Sequence, residues 1–206
     1  MQFLQQSWQR AWVALGAQPD RALFEQVVDC YKESHRKYHT LQHLRECLEK
    51  LQPVLELAEH PGEVELALWF HDAVYELRRE DNELQSALWA KRELAASGVP
   101  LEAGERVQAL VLATRHSALP VSQDERLLVD IDLSILGAEP ERFAEYERQV
   151  REEYGWVPRW LFRRKRLAVL REFIGRISIF STEHFHDQLE DQARENLEHS
   201  ITRLAG

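Results

Sequence analysis

Apolar residues return every third or fourth position along almost the whole chain, and no stretch shows the strict alternation of a half-buried strand. This pattern predicts an all-α protein, a helical bundle of about nine helices forming one domain over residues 1–206. From Thr40 to Leu57 the stripe Leu41, Leu44, Leu48, Leu51 and Leu55 marks a single buried face. The run "EVELALWFHDAVY", Glu63 to Tyr75, is apolar nearly all round and predicts a central helix covered on every side. "DNELQSALWAKRELAASG" opens on an acidic cap and closes at Gly98, a left-handed stop, while "SQDERLLVDIDLSILG" starts at the cap Ser122 and stops at Gly137. Residues 182–204 read as one long polar amphipathic helix. Pro19, Pro61, Pro100, Pro120, Pro140 and Pro158 fall at seams between these segments, whereas Pro53 would kink or end its helix early. No internal repeat, low-complexity segment or linker interrupts the series. Tyr38, Trp69, Phe70 and most of the six tryptophans are expected to be core anchors.

Composition changes this picture only slightly. Hydrophobic residues make up 44% and charged residues 30%, ordinary for a soluble globular chain. A net charge of −9 argues against a nucleic-acid polymer or an anionic membrane as partner. A small anionic substrate stays possible, because a bound cation reverses the field inside one cleft. No apolar run approaches the ~20 residues of a membrane span. "MQFLQQSWQRAWVALG" lacks the basic start and unbroken apolar core of a signal peptide. Cys30 and Cys47 have no CxxC spacing and read as buried free thiols of a reducing, cytoplasmic compartment. A homodimer is allowed by all of this.

Nine histidines are present, and His35, His60, His184, His186 and His199 read as surface or loop residues. The dyad His71-Asp72 differs, because it ends the deeply apolar "ALWF", where an imidazole beside a carboxylate is costly to bury unless paired or bound to a cation. The plainer alternative is that Asp72 only caps its helix. In "LLVDIDLSILG" the spacing turns Asp132 toward the core with Leu128, Ile135 and Leu136, and leaves Asp130 outward or in a supporting position. His39 and His43 lie about one helical turn apart, with His43 on the flank of the leucine stripe. Taken together, His43, His71, Asp72 and Asp132 would form a site for one or two divalent ions: Mn, Fe, Co, Ni, Zn or Mg.

The order His…His-Asp…Asp in an all-α chain resembles the HD superfamily of metal-dependent phosphohydrolases. The stretches "HRKYHTLQHL", "ALWFHDAVYE", "DNELQSA", "VDIDLSILG" and "REEYGWVP" are similar to a bacterial subgroup of predicted HD-type phosphohydrolases, from about Tyr31 to Arg194. The resemblance implies an HD-domain-like bundle and metal-assisted hydrolysis of a phosphate ester or anhydride in a nucleotide or other small phosphorylated metabolite. "YHTLQH" also resembles the "YHNxxH" segment of cyclic nucleotide phosphodiesterases, with threonine in place of asparagine. That likeness implies His39 as general acid and His43 as ligand. An acidic residue soon after the dyad, Glu83 or Glu76, would assist the attacking water, although Asp81, Asn82 and Glu83 also read as an ordinary helix start. Arg36 and Lys37 are candidates to bind phosphate, Asn82 and His116 to contact substrate, and His116 alternatively to ligate metal. The run "RRKR", Arg163 to Arg166, reads as a solvated face or as an anion-binding rim. Two rival readings come with the resemblance: a di-iron oxygenase, which needs His116 and another histidine as ligands, and a regulatory module that binds metal or nucleotide without turnover.

Overall fold

The computed structural model describes residues 1–18 and 20–206, so the seam expected at Pro19 lies outside the described residues. Among the described residues the chain is all-α, with ten α-helices rather than nine, and no strand. In chain order these are α1 (Gln2–Ala14), α2 (Arg21–Cys30), α3 (Leu41–Leu51), α4 (Pro61–Phe70), α5 (Asn82–Ala96), α6 (Leu101–Ala113), α7 (Gln123–Leu133), α8 (Pro140–Glu153), α9 (Arg159–Ile174) and α10 (Glu183–Ala205). Among the described residues no helix is long and apolar enough to cross a membrane. The chain divides into two compact units, Met1–Val129 and Asp130–Gly206, with the division falling inside α7.

The first unit is organised around α4. Pro61 starts this helix with a φ already suited to it. Every residue from Gly62 to Phe70 is buried, because α1, α3, α5 and α6 all pack against it. Burial on every side leaves no water for its two glutamates, so each takes a partner from a neighbouring helix. Glu65 accepts from Ser7 Oγ at 2.6 Å and from Arg10 Nε at 3.0 Å. Glu63 takes both arms of the Arg106 guanidinium, at 2.7 and 2.6 Å. Asp124 closes the start of the helix, accepting from the Glu59 and His60 amides at 2.7 and 3.0 Å. An aromatic cluster seals the contact with α1: Trp8 meets Trp69 edge-on at 5.1 Å, and Trp69 Nε1 donates to Ser7 Oγ at 3.0 Å.

The expected helix signals act locally as chemistry requires. Thr40 caps α3 by accepting from the Gln42 amide at 3.2 Å. Pro53 ends that helix, and residues 52–57 continue as a 3-10 turn that buries Val54 in place of the expected Leu55. Gly98 stops α5 with φ +76°. Ser122 and Glu125 form a reciprocal capping box, Ser122 Oγ accepting from the Glu125 amide and Glu125 from the Ser122 amide, at 3.1 and 3.0 Å.

In the second unit, α10 packs on α9 and on the 3-10 turn Ser134–Gly137, which also meets α8. Gly137 touches α10, where a Cβ would lie 2.6 Å from the Leu189 Cβ. One expectation is corrected here. Asp130, read as outward or in a supporting position, has no exposed surface, which rules out the outward reading; it accepts from the Ser181 and Thr182 amides and from Thr182 Oγ at 2.6–3.0 Å. Burial pushes its carboxyl above the usual range, opposed by the hydrogen bonds from Thr182 and Ser181. Asp132 is half-buried in the last turn of α7 and is one of the groups that could hold a metal ion. Asp130 is drawn inside by Ser181 and Thr182 at the start of α10, 51 and 52 residues downstream, which the periodicity of α7 does not register.

The packing predicts opposite outcomes for two glycines. A Cβ at Gly62 would lie 2.7 Å from the Ala14 Cβ, so Gly62→Ala should cost about 1–3 kcal/mol. At Gly104 the nearest atom is Lys91 Cγ at 3.7 Å, so Gly104→Ala should stabilise α6 by about 0.5–1 kcal/mol. Thermal unfolding followed by circular dichroism checks both, and an unchanged melting temperature for Gly62→Ala would contradict the close α1–α4 approach.

Candidate metal centre

Two helix ends in the first unit bring the central residues together. His43 sits in the first turn of α3 on its buried side, with Leu44, Cys47 and Leu48. His71 follows the last residue of α4, and Asp72 comes next. His71 Nδ1 lies 2.7 Å from the Leu68 carbonyl. A carbonyl can only accept, so Nδ1 carries a proton, and in the neutral ring the Nε2 lone pair then faces the other way. There it faces His43 Nε2 at 3.1 Å and Asp72 Oδ2 at 3.0 Å, while His43 Nε2 and Asp72 Oδ2 are 3.5 Å apart.

This triangle has the dimensions of a coordination edge. Ligand atoms about 2.1 Å from a shared cation stand ~3.0 Å apart at a right angle and ~3.4 Å apart at the tetrahedral angle. His43 and His71 are 2% and 1% exposed, so competing water is scarce around two of the three atoms. Burial raises the Asp72 carboxyl, but the surrounding imidazoles, when protonated, outweigh it through the charges of His71 and His39 and the hydrogen bonds of His43 and His71, and hold the group well below its usual range. Asp72 is therefore a carboxylate at neutral pH, the form that binds cations. A carboxylate with two imidazoles suits borderline divalent metals.

Cys47 is the residue that sequence reasoning missed. Its Sγ lies 3.7 and 3.8 Å from the two nitrogens of His43, and it belongs with His43 and His71 to a group whose ligand atoms lie within 4.8 Å of one another. The i, i+4 spacing of His43 and Cys47 was the available signal. Buried His, Cys and Asp groups at this point could hold a metal ion. Glu59, His60 and Asp124 form a second such group, but Asp124 there is engaged in capping α4.

Around this centre, His39 stacks on Tyr75 at 4.1 Å, meets Tyr38 edge-on at 4.9 Å and lies 5.9 Å from the His43 ring. Arg36 departs from the expected phosphate fork. Its side chain is fully buried; it donates to the His39, Asp72 and Ala73 carbonyls at 3.2, 2.6 and 3.0 Å and to Glu33 at 2.9 Å. The guanidinium also lies over Tyr31 and Tyr75. Arg36 is thus a brace that ties the turn carrying His39 to the segment carrying Asp72, because those carbonyls have no helical donor and a buried cation needs acceptors. Lys37 is exposed and directs its ammonium to the Ser34 carbonyl at 2.9 Å.

Asn82 has a structural part in the loop that follows the dyad. Its amide accepts from the Glu76 N–H and donates to the Glu76 carbonyl, both at 3.0 Å, closing the loop after the dyad. Ser86 Oγ accepts from the Val74 amide at 3.0 Å in the same loop. Glu76 is exposed, and Glu83 is half-buried with Arg115 at 3.7 Å. His116, the residue after Arg115, adopts φ 53° and is half-buried. Comparisons of the chain with protein-family models, with curated proteins and with solved structures gave no match.

The brace predicts that Arg36→Lys, which keeps the charge and loses the planar fork, destabilises the chain by about 2 kcal/mol or more. It should also weaken Co²⁺ binding. Urea unfolding and a cobalt titration read the two effects; an unchanged midpoint would contradict a bracing role.

Proposed function

We propose that this chain is a metal-dependent phosphohydrolase of the HD type, acting on an ester or anhydride of a nucleotide or another small phosphorylated metabolite. The observation that carries the reading is the convergence of His43 Nε2, His71 Nε2 and Asp72 Oδ2 at 3.0–3.5 Å around one point. Asp132 enters the reading through the order of residues in the sequence. A divalent cation held there would lower the pKa of water toward neutrality and draw charge from a phosphoryl oxygen.

The chain's own residues supply the rest. The Leu68 carbonyl fixes the His71 tautomer, which keeps a lone pair available on Nε2. Asp72 remains ionised and neutralises cationic charge beside the two imidazoles. His39, held against Tyr75 and Tyr38, would give a proton to the departing oxygen. Arg36 keeps the His39 and Asp72 backbones in register. Both cysteines are free, consistent with a reducing, cytoplasmic setting.

The test is a screen of phosphomonoesters, cyclic nucleotides and nucleoside triphosphates with Mn²⁺, Co²⁺ and Mg²⁺. At least one pair should release phosphate or pyrophosphate, and Asp72→Ala and Asp132→Ala should abolish that release. His43→Ala should lose both metal and activity, whereas His39→Ala should retain metal and slow turnover by ~10²–10⁴-fold. Hydrolysis that survives Asp72→Ala would refute the metal-site reading, and metal binding without turnover on any substrate would favour a regulatory module.

A further inference from the structure

The second unit carries a groove of about 890 Å³ between α8, the start of α9 and the end of α10. Five arginines line it: Arg148, Arg151, Arg159, Arg163 and Arg203. Trp160 and Phe162 add aromatic surface. In a chain of net charge −9 this is an unusual concentration of cations, and α9 alone carries six basic residues and one acidic residue.

The arginines do not all have the same work. Arg151 donates to the Tyr154 and Val157 carbonyls and lies 4.6 Å over the Phe162 ring, so it builds the wall. Arg163 donates to the Leu204 carbonyl. Glu147, a carboxylate of the lining, is already engaged by Arg166 and Ser200. Arg148 and Arg159 are exposed and have no ion pair or hydrogen-bonding side chain to satisfy them among the described residues. Trp160 is 68% exposed beside them. Arg159 and Trp160 are also the first two residues of α9, where Pro158 provides no side-chain cap for the amides.

Unshared guanidinium forks take phosphate oxygens in pairs, and an exposed indole takes a flat ring. The volume falls in the range of small-molecule sites, roughly 300–1,000 Å³. We propose that this groove binds a nucleotide, with its base stacked on Trp160 and its phosphates held by Arg148 and Arg159. The site lies wholly in the second unit and is independent of the function proposed for the metal centre.

Calorimetric titration of the full chain tests it, using adenosine diphosphate, pyrophosphate and adenosine in the presence of chelator. Adenosine diphosphate should bind, and the double variant Arg148→Gln/Arg159→Gln should weaken it by roughly tenfold or more. Trp160→Ala should weaken the diphosphate and leave pyrophosphate nearly unchanged. Asp72→Ala should have no effect. The three altered groove positions are exposed, and circular dichroism checks that these variants and Asp72→Ala fold. The proposal is overturned by absence of binding at millimolar nucleotide, by unchanged affinity in the double arginine variant, or by loss of binding in Asp72→Ala. It is equally overturned if an oligonucleotide or polyglutamate displaces the diphosphate at far lower concentration, since the groove would then serve a polymer.

Discussion

The first unit depends on one constraint: α4 is buried on every side, so each polar group on it must find its partner inside the protein. Ordinary core helices meet this by being apolar. This one carries Glu63, Glu65 and then the His71-Asp72 dyad, and each has a built answer. Arg106 forks onto Glu63, Ser7 and Arg10 reach Glu65, and Asp124 caps the helix start. An unpaired charge at any of these positions would cost several kcal/mol, a large share of the stability of a domain this size.

At the far end of α4 the same constraint produces chemistry rather than simple pairing. His71 uses Nδ1 on a backbone carbonyl, which leaves Nε2 to face His43 and Asp72 in a place largely closed to water. Three electron-pair donors pressed to about 3 Å repel unless protons or a cation lie between them. Holding them there requires a rigid frame. Arg36 provides it by joining two backbone segments that are 36 residues apart in sequence. The arginine best placed to look like a phosphate ligand is thereby spent on organising the centre.

Much of this was readable in the chain. The leucine stripe of α3, the all-round apolarity of α4, the Gly98 stop and the Ser122 cap are local signals, and local physics decides them. His43, His71 and Asp72 were readable because a polar cluster in an apolar context is expensive and needs a reason. Residues whose partners lie far away in sequence were not readable. Asp130 points at the start of α10, and Arg36 reaches across to Asp72 and Ala73. Val54 replaced Leu55 in the core once Pro53 had tightened the helix into a 3-10 turn. Cys47 has neither a disulfide partner nor CxxC spacing, and its one sequence signal is its place a turn from His43 on the same face.

The central claim is that His43, His71 and Asp72 form the core of a divalent-cation site. Equilibrium dialysis of the purified chain against micromolar Co²⁺, with the bound metal counted by elemental analysis, tests it most directly. One or two ions should be retained per chain, with cobalt absorption bands indicating imidazole ligation, and the double variant His43→Ala/His71→Ala should retain none. Equal retention by that variant, or no retention by the unaltered chain, would contradict the account.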